Sequence, residues 1–169
     1  PKMLSRQVSN LKDELVTPAA QAAAATDRDG QVLAQAYAVY QNRLERANAL
    51  DFDDLIMRTV EVLTSHPDIA ERYRTRFRHI LVDEYQDTNH AQYVLVRTLA
   101  GQGPERSSLT VVGDADQSIY AFRGATIRNI EDFEKDFADA TSVVLEQNYR
   151  STQNILSAAN AVISHNEGR

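Results

Sequence analysis

The stretch His79-Ile80-Leu81-Val82-Asp83-Glu84-Tyr85-Gln86-Asp87 decides how this chain reads. Ile80, Leu81 and Val82 form a short continuous run of branched apolar residues, the pattern of a strand buried on both faces of a parallel sheet. The run ends on two acids. In open α/β sheets ligands bind in the crevice at the carboxyl ends of the strands, so Asp83 and Glu84 stand where chemistry is usually done. One carboxylate can hold a hard cation through oxygen, and its neighbour can take a proton from a water. An acidic strand end that merely faces solvent fits the same dipeptide, and the rest of the chain has to choose between them.

Working outward, Leu109 to Val112 repeats the design, with hydrophobic residues followed by Gly113-Asp114. Ser142 to Leu145 reads as a third strand, followed by Glu146-Gln147-Asn148-Tyr149-Arg150. Helical periodicity fills the intervals: Asp68 to Phe77, Ala91 to Ala100, Ile127 to Phe137, and a closing helix through Ile155, Leu156, Ala159 and Ile163 that Ser151 can cap. Strands alternating with helices predict an α/β fold with a parallel sheet. Upstream the pattern is all helical. Pro1 to Val16 and Gln31 to Asn48 carry apolar stripes, the second through Val32, Leu33, Ala36, Tyr37, Tyr40 and Leu44. Pro18 to Gly30 reads as a connector, although its alanine tract also suits a helix. A further helix opens at Asp51, with Phe52, Leu55, Ile56, Val60 and Leu63 as its expected buried stripe, and stops at His66-Pro67. Arg72, Arg74, Arg76 and Arg78 recur every second residue and cannot share one helix face, so a solvated set is expected rather than a phosphate grip.

Composition sets the bounds. The 169 residues are 43% hydrophobic and 25% charged, ordinary globular material for one core or pieces of two. No apolar run approaches membrane-spanning length and no signal-peptide pattern opens the chain, which favours an intracellular, cytoplasmic reading. Cysteine is absent, so disulfides and thiolate metal sites are excluded. His66, His79, His90 and His165 lack ligand-like spacing for a transition metal. A net charge of -6 argues against gripping nucleic acid by bulk positive charge, while leaving room for a local stacking site.

Three segments, taken together, carry a resemblance. Val82-Asp83-Glu84-Tyr85-Gln86-Asp87-Thr88-Asn89, then Val112-Gly113-Asp114-Ala115-Asp116-Gln117-Ser118-Ile119-Tyr120-Ala121-Phe122-Arg123-Gly124-Ala125, then Leu145-Glu146-Gln147-Asn148-Tyr149-Arg150-Ser151 resemble motifs II, III and IV of the UvrD, PcrA and Rep group of superfamily 1 DNA helicases. The likeness extends through Asn48 to Ile56 and, more weakly, the N-terminal helices. It implies a RecA-like motor-domain portion with an N-terminal all-helical inserted subdomain: residues 1–50 in that subdomain, 51–140 in the second half of the first motor domain, and 141–169 at the start of the second. It implies that Asp83 helps hold magnesium on the ATP phosphates and that Glu84 activates the attacking water. Gln117 would sense the γ-phosphate, a task suited to an amide that donates and accepts without charge. Tyr149 would stack on adenine, and Arg150 would reach the γ-phosphate as an arginine finger, worth roughly a thousandfold or more in related phosphoryl transfers. Tyr120, Phe122 and Arg123 would contact single-stranded DNA. Ala121 and Phe122 stand where a larger polar residue and tryptophan are frequent in the family, so weaker stacking is expected at Phe122. Arg123 either contacts a phosphate or pairs with an acid such as Asp114.

The phosphate-cradling loop Gly-x-x-x-x-Gly-Lys-Ser/Thr is absent from these residues, and none of the six glycines precedes a lysine. The chain therefore reads as an internal portion of an ATP-dependent helicase or translocase, moving 3′ to 5′ on single-stranded DNA, acting at duplex junctions and with DNA-repair proteins as partners. Alone it is expected to be inactive. Two other classes remain open: a magnesium-dependent nuclease using Asp83, Glu84 and Asp87, and a non-catalytic DNA- or protein-binding remnant.

Overall fold

The computed structural model describes residues 2–103, 106–118, 129, 133 and 135–165. Their elements are mostly helical: α1 (Lys2–Asp13), α2 (Pro18–Ala24), α3 (Arg28–Arg46), α4 (Phe52–Ser65), α5 (Pro67–Arg76), β1 (His79–Val82), α6 (His90–Ala100), β2 (Ser108–Val111) and α7 (Gln153–Ile163). Two compact units divide them, Pro1–Asp132 and Phe133–Arg169.

In the first unit short polar caps set the starts of α2, α3, α4 and α6. Thr17 accepts from the Ala20 N–H and makes the alanine tract a helix of its own, so the stretch expected as a connector is α2. Asp27 caps α3 through the Gly30 N–H, starting that helix earlier than its apolar pattern suggests. Asp51 opens α4 as expected and forms a capping box with Asp54, satisfying two backbone donors reciprocally. Asn89 and Gln92 repeat the device at α6.

The two strands pair in parallel, Ile80 with Leu109 and Val82 with Val111, and α6 supplies the crossover that a parallel pair needs. Contrary to expectation, β1 is not covered on both faces. Ile80 and Val82 are partly buried, whereas Leu81 is 77% exposed, so among the described residues only one face of the strand is covered. The expected third strand, Ser142 to Leu145, is likewise not formed: residues 141–148 have no strand structure and Val143, Val144 and Leu145 are exposed, since a strand without a neighbouring ladder leaves its N–H and C=O groups to water. Of the expected helix 127–137, Asn129, Phe133, Lys135 and Asp136 are helical, Phe137 is buried just past the helical residues, and the others lie outside the described residues.

The stripe expected on α4 holds at Val60 and Leu63 and fails in the first turn. Phe52 and Leu55 are exposed; the buried face is Asp54, Met57, Val60 and Leu63. A charged residue at the centre of that face is tolerable only if it is paired. Lys12, whose side chain is fully buried, supplies the pairing: its Nζ lies 2.7 Å from Asp51 Oδ2 and 2.9 Å from Asp54 Oδ1. Gln41 from α3 donates to both Asp54 oxygens, the Tyr40 hydroxyl donates to Asp51, and the Lys12 ammonium sits 5.2 Å from the Tyr40 ring. Burial opposes ionisation of Asp51, but Lys12, the Asp54 N–H and Tyr40 outweigh it and hold that carboxyl below its ordinary value. Burial and the hydrogen bond to Asp51 push Tyr40 up to about 12. Tyr37, fully buried beside this cluster, donates to the Val16 carbonyl. The network joins α1, α3 and α4. Of the four arginines, Arg74 is not simply solvated: it pairs with Glu71 and donates to the Thr98 carbonyl at the end of α6, lying where a Cβ on Gly101 (φ +75°) would collide with it.

A second polar joint ties α1 to α6. Asn89 Nδ2 donates to Asp13 Oδ1 at 2.7 Å, and Ser9 donates to Asp53. Burial, then the charges of Asp53 and Glu14, raise the Asp13 carboxyl from 3.8 to about 6. A raised acid favours the protonated fold, so its contribution is complete below about pH 4 and is lost as pH climbs to about 6. Asp13→Asn keeps the acceptor for Asn89 and removes the charge. It should raise stability at pH 7 by about 1 kcal/mol after allowance for solvent screening, and change little at pH 4. Urea unfolding at the two pH values checks this; an equal effect at both would mean that charge is not the cause.

In the second unit, Asn148 Oδ1 accepts from the N–H groups of Arg150 and Ser151, building a turn ahead of α7. The N-cap position is Thr152 rather than Ser151, and its side chain makes no capping bond. The stripe expected on α7 is mostly uncovered, with Ile155 exposed and Leu156 and Ile163 partly buried.

Candidate functional site

Residues at the carboxyl ends of β1 and β2 converge. Asp83 and Glu84 leave β1 exposed, and the Glu84 N–H donates to Asp83 Oδ1 at 2.9 Å. Glu84 adopts a left-handed backbone (φ +50°), a conformation that costs a non-glycine residue about 1 kcal/mol or more and persists only where surroundings enforce it. Here they do: the Tyr85 N–H donates to the Val112 carbonyl and the Val112 N–H to the Val82 carbonyl, locking the turn to the end of β2. Tyr85 is buried beneath it. From β2 the chain passes through Gly113 to Asp114, whose side chain accepts from the Asp116 N–H and from Gln117 Nε2, the latter at 2.7 Å.

Between the two ends lies Gln86, only 1% exposed. Its Nε2 donates to Glu84 Oε2 at 2.7 Å and its Oε1 accepts from the Asp114 N–H at 3.0 Å. Asp83, Glu84 and Gln117 are therefore members of one hydrogen-bonded assembly. Asp87, the third acid of the motif, is partly buried with Oδ1 unpaired, and among the described residues no three His, Cys, Asp or Glu side chains converge as a metal cage. Thr88 turns its hydroxyl back to the Tyr85 carbonyl, and Asn129 Nδ2 donates to the Thr88 carbonyl, fastening the segment that leads into α6.

Tyr149 and Arg150 belong to the second unit, where both are exposed on the Asn148 turn. Tyr120, Phe122 and Arg123 lie outside the described residues. Sequence reasoning missed Gln86 and the anchoring part of Asp114. The available signal was an uncharged donor–acceptor side chain two residues after an acid, close enough to reach back across one short turn.

With this geometry in hand, comparison with known proteins is decisive. The model of the UvrD/REP helicase N-terminal domain matches residues 1–138. The chain belongs to the UvrD/REP helicase family. It is 63% identical to the ATP-dependent DNA helicase UvrD1 of Mycobacterium tuberculosis and 60% identical to that of Mycobacterium leprae, in each case over 100% of this chain and 23% of the relative. Against the ATP-dependent DNA helicase PcrA of Staphylococcus aureus the identity is 53%, with the same coverage. The chain thus spans about a quarter of the length of these UvrD/REP relatives. No helix among the described residues is long and apolar enough to cross a membrane.

Proposed function

We propose that the full-length protein carrying this chain is an ATP-dependent DNA helicase that couples ATP hydrolysis to 3′ to 5′ movement along single-stranded DNA, opening duplex at junctions in DNA repair in the cytoplasm. One observation carries the reading: a carboxylate pair at the end of one parallel strand is hydrogen-bonded, through Gln86, to the turn that bears Gln117 at the end of the next. In this reading residues 51–140 form the later half of a RecA-like motor domain, 1–50 an inserted helical subdomain, and 141–169 the opening of a second motor domain.

Asp83 suits magnesium, a hard cation that prefers oxygen: its carboxylate is exposed at the strand end and oriented by the Glu84 N–H. Magnesium, when bound, neutralises charge on the ATP phosphates. Glu84 takes the proton of the attacking water. Gln117 presents an amide to the γ-phosphate, Tyr149 stacks on adenine, and Arg150 stabilises charge on the transferring phosphoryl group. Tyr120, Phe122 and Arg123 bind single-stranded DNA, the aromatics by sequence-tolerant stacking.

The test is DNA-stimulated phosphate release and strand separation by the full-length protein. The 169-residue chain, whose sequence contains no phosphate-cradling loop, is expected to release no phosphate beyond a Glu84→Gln control. Coupling gives a sharper expectation. Tyr120→Ala should weaken single-stranded DNA binding by ~1 to 3 kcal/mol and blunt DNA stimulation of hydrolysis. Gln117→Ala should leave nucleotide-free DNA affinity intact and shrink its change on adding an ATP analogue, since coupling between two ligands is reciprocal. Fluorescence anisotropy with and without the analogue measures both; a full nucleotide-dependent shift in Gln117→Ala would remove this segment as the link.

A further inference from the structure

We infer that Gln86 is a positioning residue for Glu84, fixing the general base relative to the end of β2; the inference rests on the reading of Glu84 as that base. A carboxylate at an exposed strand end has two free torsions before its carboxyl group and no reason to hold one direction. Glu84 is held from two sides. Its backbone is fixed in the left-handed region, and its Oε2 receives the Gln86 amide at 2.7 Å. Gln86 itself cannot wander, being 1% exposed and bound through Oε1 to the Asp114 N–H. An amide carries its donor and its acceptor on two separate atoms of one rigid, uncharged group, which lets Gln86 reach Glu84 and the Asp114 N–H at once; an ionised acid lacks the donor and an apolar side chain lacks both.

The space for this arrangement is reserved by glycine. A Cβ on Gly113 would lie 2.9 Å from Gln86 Oε1 and 3.3 Å from the Gln86 backbone nitrogen, closer than atoms settle. The same chain of contacts continues from Asp114 Oδ2 to Gln117 Nε2, so the residue that orients Glu84 is in register with the turn bearing Gln117. One oxygen of Glu84 is thereby occupied by Gln86, which leaves the other to face a water.

The test uses the full-length protein and two substitutions at pH 8. Gln86→Asn retains an amide but is one methylene too short to bridge Glu84 and the Asp114 N–H together; Gln86→Met retains approximate volume and lacks both bonds. Each should lower kcat for ATP hydrolysis by about tenfold or more while KM for ATP and nucleotide affinity stay within about twofold. In single-turnover assays on a Glu84→Gln background the same substitutions should cause little further loss, because the group they orient is gone. Wild-type kcat in Gln86→Asn or Gln86→Met would show that packing is all that Gln86 provides, and would overturn the inference. So would full additivity with Glu84→Gln, or a loss confined to KM. Should Gln86→Met fail to fold, Gln86→Asn alone decides. Absence of ATP hydrolysis by the wild type, or its survival in Glu84→Gln, would instead sink the assignment of the base itself.

Discussion

Replacing Glu84 with glutamine in the full-length protein is expected to reduce ATP turnover on the order of a hundredfold to ten-thousandfold, the usual contribution of a positioned general base. Nucleotide affinity should stay within about twofold, because the change removes a proton acceptor rather than a binding contact. The local geometry makes this substitution unusually clean. Glutamine keeps an oxygen that can accept from Gln86 Nε2, and the backbone bonds from Tyr85 to Val112 and from Glu84 to Asp83 do not involve the altered atoms. The turn should therefore survive unchanged. Phosphate release with magnesium and single-stranded DNA gives kcat, and titration with a fluorescent ATP analogue gives affinity. Parallel losses of binding and turnover would point to a structural role for Glu84 and against hydrolysis by this base.

How far the sequence could be read depended on whether a feature was local. The end of β1 was legible because an apolar run followed by two acids is contiguous, and the Asp51 cap because an N-cap acts on a backbone group three residues away. The alanine tract was ambiguous for the opposite reason: alanine propensity alone does not place a boundary, and the deciding contact is the Thr17 hydroxyl. Exposure on β1 depended on how many strands and helices surround it, which the periodicity of Ile80 to Val82 does not contain. Val143 to Leu145 has strand-like composition, but a strand exists only as part of a ladder.

The same distinction runs through the site. Asp83, Glu84 and Gln117 each belong to a contiguous motif, and hydrogen bonds join the segments that carry them. The part played by Gln86 was hidden because its partners, Glu84 and Asp114, come from different segments, and only folding sets its amide between them. Burial of Asp54 was hidden more deeply. Periodicity assigns the core face of α4 to apolar residues, whereas the fold turns Asp54 inward and neutralises it with a lysine from α1.

That buried pair gives the largest expected effect on stability. Lys12→Met should destabilise the fold by roughly 3 to 5 kcal/mol, a large share of the ~5 to 15 kcal/mol that holds a domain of ordinary size. The loss does not arise from a missing attraction alone. Asp54 has a fully buried side chain, and without Lys12 its charge would keep the Gln41 amide, the long bond from the Asp51 N–H and the more distant Arg58, 3.9 Å away, with no close cation. Asp51 would suffer less, being partly exposed and still bonded to Tyr40. Stranding rather than attraction also predicts the rescue. Adding Asp54→Asn to Lys12→Met removes the unpaired charge while preserving size and an oxygen for the Asp51 N–H, so the double variant should recover a substantial part of the loss. Urea unfolding followed by circular dichroism compares wild type, both single variants and the double. A loss below about 1 kcal/mol for Lys12→Met would mean that water reaches Asp54, and a double variant as unstable as the sum of the singles would mean that the two side chains are not energetically coupled.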